Sequence, residues 1–381
     1  VAPTGLKGVQ TVPDLDGACF IVTPRFYAVK AGTTFRATLK DGGAVVSQAE
    51  CAAVDGVPAV LPVPDPKPWS PADPFLYDLT FEVVGDGGVV DSVEAYAGLR
   101  KVHIEGNRVF LNNEPFYLRL VLDQGFYPDG IWTAPDDEAL KHDIELSMAA
   151  GFNGARLHQK VFEPRFHYWA DQLGYVTWGE SSSWGIDVTG VESARNFLAE
   201  WREIVTRDRN HPSIIAWTPF NETRGGAGHP QHQRLHADAY DLTHDLDPTR
   251  PVNDASGYAH VKTDLWTTHS YNQNPESLKA QLAIDPVTGV WRNFPDVEVD
   301  YTGQPYIVDE FGGIKWIPRA DLVFADNSWG YGDDPKTLEE FYTRLEGLVD
   351  AVLSHEHICG YCYTQLTDIE QEQNGIYNYD R

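Results

Sequence analysis

Two glutamates, Glu222 and Glu310, each follow a short apolar run. Ser213-Ile-Ile-Ala-Trp-Thr-Pro-Phe-Asn-Glu222 and Tyr306-Ile-Val-Asp-Glu310-Phe-Gly-Gly313 both read as strands covered on two faces and ending in a carboxylate. Two carboxyls held about 5 Å apart can cleave a glycosidic bond with retention of configuration, one protonating the leaving oxygen while the other attacks the anomeric carbon. Like charges that close do not both ionise easily, so one keeps its proton near neutral pH. We assign Glu222 as the acid/base and Glu310 as the nucleophile.

Other strand-end residues suit the same chemistry. Asn221 can hydrogen-bond a sugar 2-hydroxyl, where contacts strengthen in the transition state. A cation and a phenol both favour an ionised carboxylate, which gives Arg156 and Tyr271 a role beside Glu310. His158, Asp123 and Glu180 are candidates for sugar hydroxyls, and Trp184 for an apolar platform. Trp178 and Trp217 are further platform candidates, although Trp217 lies mid-strand and fits a core position better. Each also has a plainer reading: an ion pair or helix cap for a single Glu, a structural salt bridge for Arg156, a core position for His158, solvated loops for Asp123 and Glu180. The 13 histidines include no H-E-x-x-H or comparable ligand pair, so neither a catalytic metal nor a cofactor is expected.

To bring these residues together the chain needs strands that converge at one end. From Phe116 onward, strand-like and helix-like segments alternate, with strands expected near 116–121, 152–157, 175–179, 213–219, 251–254, 264–268, 305–309 and 357–364. The clearest helix spans Asp136 to Ala150, opened by Pro135-Asp-Asp-Glu and closed by Gly151. Eight strands in that space call for an α/β fold, a (β/α)₈ TIM barrel, whose chemistry sits at the carboxyl ends of its strands. A doubly wound open sheet competes, but its glycine-rich phosphate fingerprint is missing. Before the barrel, period-two segments at 18–22, 35–39, 44–46, 76–83 and 89–93 alternate with Gly- and Pro-rich turns, as in a small antiparallel β-sandwich. The division is therefore 1–102 for the sandwich and 103–381 for the catalytic barrel.

The totals set outer limits. A chain of 381 residues with 42% hydrophobic content buries a large core. Twenty-nine basic against 56 acidic residues leave a net charge of −27, which repels nucleic acid and anionic membrane surfaces. The 12% aromatic share, with eleven Trp, fits stacking on sugar rings and fits a large aromatic core equally. No run is long enough to span a bilayer. Location stays open: the cytoplasm is favoured, with secretion the alternative if an N-terminal segment is removed. Four cysteines are too few for a disulfide scaffold, and Cys359-x-x-Cys362 lacks the partner pair a metal or redox site needs. Whether Cys19 and Cys51 meet across the sandwich is undecided, as is a homo-oligomeric state. No G-x-S-x-G elbow points to an acyl hydrolase.

Several motifs resemble the family-2 glycoside hydrolases, the group of β-galactosidases, β-glucuronidases and β-mannosidases. Arg209-Asn-His-Pro-Ser-Ile-Ile-Ala-Trp with Asn221-Glu222 looks like its acid/base signature, and Tyr306-Ile-Val-Asp-Glu310-Phe-Gly-Gly like its nucleophile strand. Trp69-Ser-Pro-Ala-Asp-Pro-Phe-Leu-Tyr77 resembles its immunoglobulin-like domain, which the resemblance implies for the sandwich, Gly98-Leu-Arg100 its domain junction and Gly151-Phe-Asn-Gly-Ala-Arg-Leu-His158 its second strand. The resemblance implies retaining exo-hydrolysis of terminal β-linked sugars, β-galactosidase-like as the first choice. Another family-2 specificity (β-glucuronidase, β-mannosidase, arabinosidase) or an inactive carbohydrate-binding remnant is the alternative. The chain departs from the family pattern in places. The N-terminal jelly-roll domain is missing from it, which implies a fragment or a short version. Gly179-Glu-Ser-Ser-Ser-Trp184 lacks the Glu-x-His magnesium site, Asp123-Gln-Gly replaces a His-containing loop, no Asn-x-Lys pair for an acid group is evident after strand eight, and Tyr363-Thr-Gln365 stands where many members have Trp.

Overall fold

The computed structural model describes residues 4–317 and 327–381, so Val1, where the sandwich was expected to begin, lies outside the described residues. Its first part is two packed antiparallel sheets. One joins β1 (Gly5–Asp14), β2 (Cys19–Ala28) and β5 (Ala59–Pro62); the other runs β4 (Ala44–Ala52), β3 (Thr34–Asp41), β6 (Tyr77–Gly85), β7 (Gly88–Ala97). Alternate residues of the central strands point inward: Phe35, Ala37 and Leu39 of β3 and Leu79, Phe81 and Val83 of β6 meet Phe20 and Val22 of β2. The sequence signal for β1 and β5 was weak because Gly8 and Pro13 interrupt the first and Pro62 ends the second. All four cysteines are free thiols, so Cys19 and Cys51 do not pair.

A small hairpin sheet, β8 (Val102–Glu105), β9 (Arg108–Leu111) and β10 (Glu114–Pro115), leads out of the sandwich. Two buried side chains tie the parts together. Trp69 Nε1 donates to the carbonyl of Asp171 at 2.8 Å, and Arg100 donates to the carbonyls of Pro212 and Ile214 at 3.1 and 3.2 Å.

The second part is a seven-stranded parallel sheet wrapped by helices. In chain order it comprises β11 (Leu118–Asp123), α1 (Asp137–Ala149), β12 (Gly154–Leu157), α2 (Pro164–Leu173), β13 (Val176–Glu180), α3 (Val191–Asp208) and β14 (Ile214–Thr218). There follow β15 (Phe220–Asn221), α4 (Pro230–Leu246), β16 (Ala255–Ser256), β17 (Trp266–Ser270), α5 (Pro275–Leu282), β18 (Tyr306–Gly312), α6 (Leu338–Leu353) and β19 (Ile358–Thr364). The sheet order is β14-β13-β12-β11-β19-β18-β17. Helix α1 forms where the sequence placed it, because the Asp136 carboxylate caps the Ala139 N–H at 2.9 Å. Leu118, Leu120, Trp178, Ile215 and Ile307 fill the inside of the curl, and the helices cover its outer face.

One place beside the curled sheet is irregular. The strand expected at 251–254 is reduced to a single bridge, Trp217 with Val252, and the two-residue pairing of β15 with β16. Pro251 has no N–H to give to a ladder, and the Asp254 carboxylate takes the N–H groups of Ala255, Val261 and Lys262. The segment still fills the space between β14 and β17: Asn253 N–H donates to the Trp217 carbonyl at 2.9 Å and Asp264 N–H to the Val252 carbonyl at 2.9 Å. Among the described residues no helix is long and apolar enough to cross a membrane.

Candidate active site

The polar side chains meet at the carboxyl ends of β12, β14, β17 and β18. Arg156, on β12, is fully buried and is the hub. Its Nε donates to Glu180 Oε2 at 2.8 Å, Nη1 to Glu310 Oε1 at 2.8 Å and to the Asp309 carbonyl at 3.3 Å. Nη2 donates to His158 Nδ1 at 2.8 Å, Asn221 Oδ1 at 2.6 Å and Glu180 Oε1 at 3.3 Å. Burial alone pushes the guanidinium down, but Glu180, Glu310 and Asp309 hold its pKa well above the usual value.

Glu310 is gripped from three sides. Tyr271 OH donates to its Oε2 at 2.6 Å, and His269 Nδ1 lies 3.4 Å from the same oxygen. Burial pushes this carboxyl up, yet the cationic His269 and Arg156 and the Tyr271 hydroxyl bring it down to about 2. Backbone irregularities make the placement work. The β17–β18 register shifts between Thr268 and His269, which sets His269 opposite Glu310, and the β18–β19 register shifts between Val308 and Phe311. Such bulges turn adjacent residues off strict alternation, and Asp309 and Glu310 are both buried.

Glu222 sits just beyond β15 with φ +52, a left-handed conformation uncommon for a side chain of its kind. Its N–H donates to the Ser256 carbonyl at 3.2 Å, and its Oε1 lies 2.7 Å from His269 Nδ1. On the other side of the imidazole, Nε2 is 3.0 Å from Ser256 Oγ and 3.3 Å from Asp309 Oδ1. Burial pushes His269 down, but Glu310, Asp309 and Glu222 outweigh it and raise the pKa to about 10, so the ring is an imidazolium. Glu222, His269 and Glu310 each offer a donor atom within 4.8 Å of the others. These three could surround a cation, and a 2.7 Å hydrogen bond joins His269 to Glu222.

The remaining expected residues fall into two groups. Asn221, 0% exposed, gives Oδ1 to Arg156 and leaves its Nδ2 donor without a partner. His158 accepts from Arg156 through Nδ1, which fixes the proton on Nε2. Burial and then Arg156 push it down to about 3, so it is neutral. Trp184, 61% exposed, stands edge-on to His158 with 5.5 Å between ring centres. Trp178 and Trp217 are wholly buried and form no platform.

Glu180 and Asp123 do not reach the mouth. The Glu180 carboxylate lies behind Arg156 and also accepts the Gln159 N–H at 3.0 Å, so it orients the guanidinium instead of meeting a ligand. Asp123 follows Val121, which packs against Leu140 and Ile144 under the helices, and its carboxylate accepts the N–H of Gly125 at 2.8 Å. Burial and Asp143 push Asp123 up to about 7. A strand-end position tells which end of the sheet a residue occupies and leaves open the side to which it points.

Ser256, Asp309 and Tyr331 belong to the site although the sequence did not single them out for it, and His269, legible as a strand-end residue after the sixth strand, belongs to it although no role follows from the sequence. Tyr331 stacks on Tyr271 at 3.5 Å with 5° between the planes. For Asp309 and His269 the signal was adjacency to Glu310 and a strand-end position; Tyr331 lies in irregular chain with no periodicity to mark it.

The model of "Glycosyl hydrolases family 2, TIM barrel domain" matches residues 102–314, and that of "Glycosyl hydrolases family 2" matches residues 27–100. A β-galactosidase of Lactococcus lactis is 29% identical over 308 residues, 73% of this chain and 30% of that protein. β-Galactosidase 2 of Enterobacter cloacae is 31% identical over 217 residues, 54% of this chain and 20% of that protein. The chain thus spans well under a third of such relatives. Two solved structures share the fold. A β-D-glucuronidase of Dictyoglomus thermophilum has a TM-score of 0.77 at 19% identity, over 99% of this chain and 66% of that one. A β-galacturonidase of Eisenbergiella tayi bound to galacturonate has a TM-score of 0.77 at 19% identity, over 100% and 70%.

Proposed function

The chain belongs to the glycosyl hydrolases family 2, and we propose that it is a retaining exo-acting β-glycosidase, β-galactosidase-like in its sugar, with Glu222 as acid/base and Glu310 as nucleophile. The observation that carries this reading is the approach of the two carboxylates, whose oxygens come within 4.8 Å of each other. A separation of about 5 Å suits direct attack, whereas inverting enzymes leave room for a water. The reading includes a two-domain division at 102/103 and a (β/α)₈ ring completed by the irregular segment around Val252.

In the first step Glu310, ionised by its neighbours, attacks the anomeric carbon while Glu222 protonates the leaving oxygen. Passage of the His269 Nδ1 proton along its 2.7 Å bond to Glu222 Oε1 supplies the acid, and neutral His269 keeps Asp309 and Ser256 at Nε2. In the second step Glu222 takes a proton from water, which displaces Glu310 from the sugar with a second inversion. The unpartnered Asn221 amide suits the 2-hydroxyl and Trp184 an apolar sugar face. The β-galactosidase names of the relatives in sequence support the choice of sugar.

The test is a pair of variants on a nitrophenyl β-galactoside. Glu310→Gln abolishes turnover, and Glu222→Ala is partly rescued by azide, giving the β-galactosyl azide. Absence of that product, or an azide adduct of inverted configuration, overturns the role assignment.

A further inference from the structure

A third acid stands at the mouth beside the reacting pair. After β19 the chain turns back, with Ile369 and Glu372 exchanging backbone hydrogen bonds at 2.9 and 2.8 Å, and Trp329 clamps the turn through Gln371 and Gln373 at 2.7 and 2.9 Å. This holds the half-buried Glu372 in a closed ring of amides. Gln124 Nε2 donates to Gln365 Oε1 at 2.8 Å, Gln365 Nε2 to Asn374 Oδ1 at 2.8 Å, and Asn374 Nδ2 to Glu372 Oε1 at 3.3 Å. Gln124 closes the ring on Glu372. The amides satisfy one another and leave the carboxylate as the ring's charge. Burial, opposed by the Asn374 hydrogen bond and aided by the nearby Glu310, pushes Glu372 up to about 7. Tyr331, stacked on the Tyr271 ring, lies near both Glu310 and Glu372 and so links the two acids.

The cations of the site, Arg156 and His269, already face Glu180, Glu222, Asp309 and Glu310 and cannot balance a further negative charge. Every N–H of Arg156 is already donated, and His269 faces carboxylates or a hydroxyl at both ring nitrogens. We infer that Glu372 is a specificity-determining residue: it accepts a hydrogen bond from a sugar hydroxyl and repels sugars that carry a carboxylate, so the substrates are neutral glycosides and not uronides. This rests on the glycosidase reading and narrows it, since the solved neighbours include enzymes named for uronic acids. A like charge set against a bound anion disfavours it strongly, whereas a hydroxyl donor gains a charge-assisted bond.

The experiment compares the chain with Glu372→Gln and Glu372→Lys on nitrophenyl β-galactoside and nitrophenyl β-galacturonide at pH 8, where Glu372 is ionised. The wild type favours the galactoside in kcat/KM, and Glu372→Gln lowers that preference about a hundredfold, mainly through KM for the uronide; Glu372→Lys lowers it further. Binding of galactose and galacturonate by calorimetry reads the same preference without turnover. A preference unchanged in both variants, or a wild type that prefers the uronic acid, overturns the inference. Loss of turnover on every aryl glycoside with the binding preference intact instead sinks the glycosidase reading and leaves Glu372 as the selector.

Discussion

Nδ1 of His269 lies 2.7 Å from Oε1 of Glu222, close enough for one proton to serve both. The same imidazolium stands 3.4 Å from Glu310, so it is electrostatically part of both halves of the reaction. Replacing it by Gln removes a cation that holds Glu310 near 2 and a proton that the cluster keeps up to about 10. The Glu310 carboxyl then rises, and the proton that His269 would pass to the acid/base is gone. We expect His269→Gln to narrow the pH profile of kcat/KM from both limbs and to reduce its maximum by about 10²-fold. A profile of unchanged width contradicts the relay.

Space around that imidazole is set by Gly257, which has φ +71 and whose missing Cβ would overlap the His269 ring. Gly257→Ala is strained by its backbone and displaces the ring. Turnover falls by at least tenfold, with the His269 proton resonance shifted in NMR spectra. A fully active Gly257→Ala places the ring elsewhere.

Asn221 has one committed atom and one free donor. If that donor meets the 2-hydroxyl, Asn221→Ala costs about 100-fold in kcat/KM on a β-galactoside but little on its 2-deoxy analogue, because the lost contact is worth several kcal/mol in the transition state. Equal losses on the two substrates assign Asn221 to holding Arg156 instead.

Asp123 bears on stability. Its folded pKa of about 7 lies above the ordinary 3.8 of an aspartate in the unfolded chain. Between those values the unfolded chain has released the proton while the folded chain still holds it, so stability declines as pH rises through that window and stays lower above it. Asp123→Asn keeps an oxygen for the Gly125 N–H and removes the buried charge. It should raise stability at pH 8 by roughly 3 kcal/mol and leave it unchanged below pH 4, as read by denaturant unfolding.

How much of this was legible in the sequence depends on what fixes each element. Ile214–Thr218 and Tyr306–Gly312 were plain because strands buried on both faces are apolar runs, and Asp137–Ala149 because its cap is local. The segment after Pro251 read as a strand by composition, but Asp254 takes the donors that a ladder would use. Asp123 and Glu180 read from the sequence equally as sugar ligands or solvated loop residues, since nothing local reveals that one faces the helices and the other Arg156. Tyr331 and Glu372 reach the mouth through loops, where hydrogen bonds set their positions and no periodicity announces them.

The saturated guanidinium at the hub has a practical consequence for ligand design. An inhibitor bearing an anionic head gains nothing from Arg156, whose donors are all engaged. The position worth filling is that of the sugar ring, between the Glu222 and Glu310 carboxylates. A basic ring nitrogen placed there inherits two ready-made counter-ions, so potency should track the amine's protonation and weaken as the medium turns alkaline.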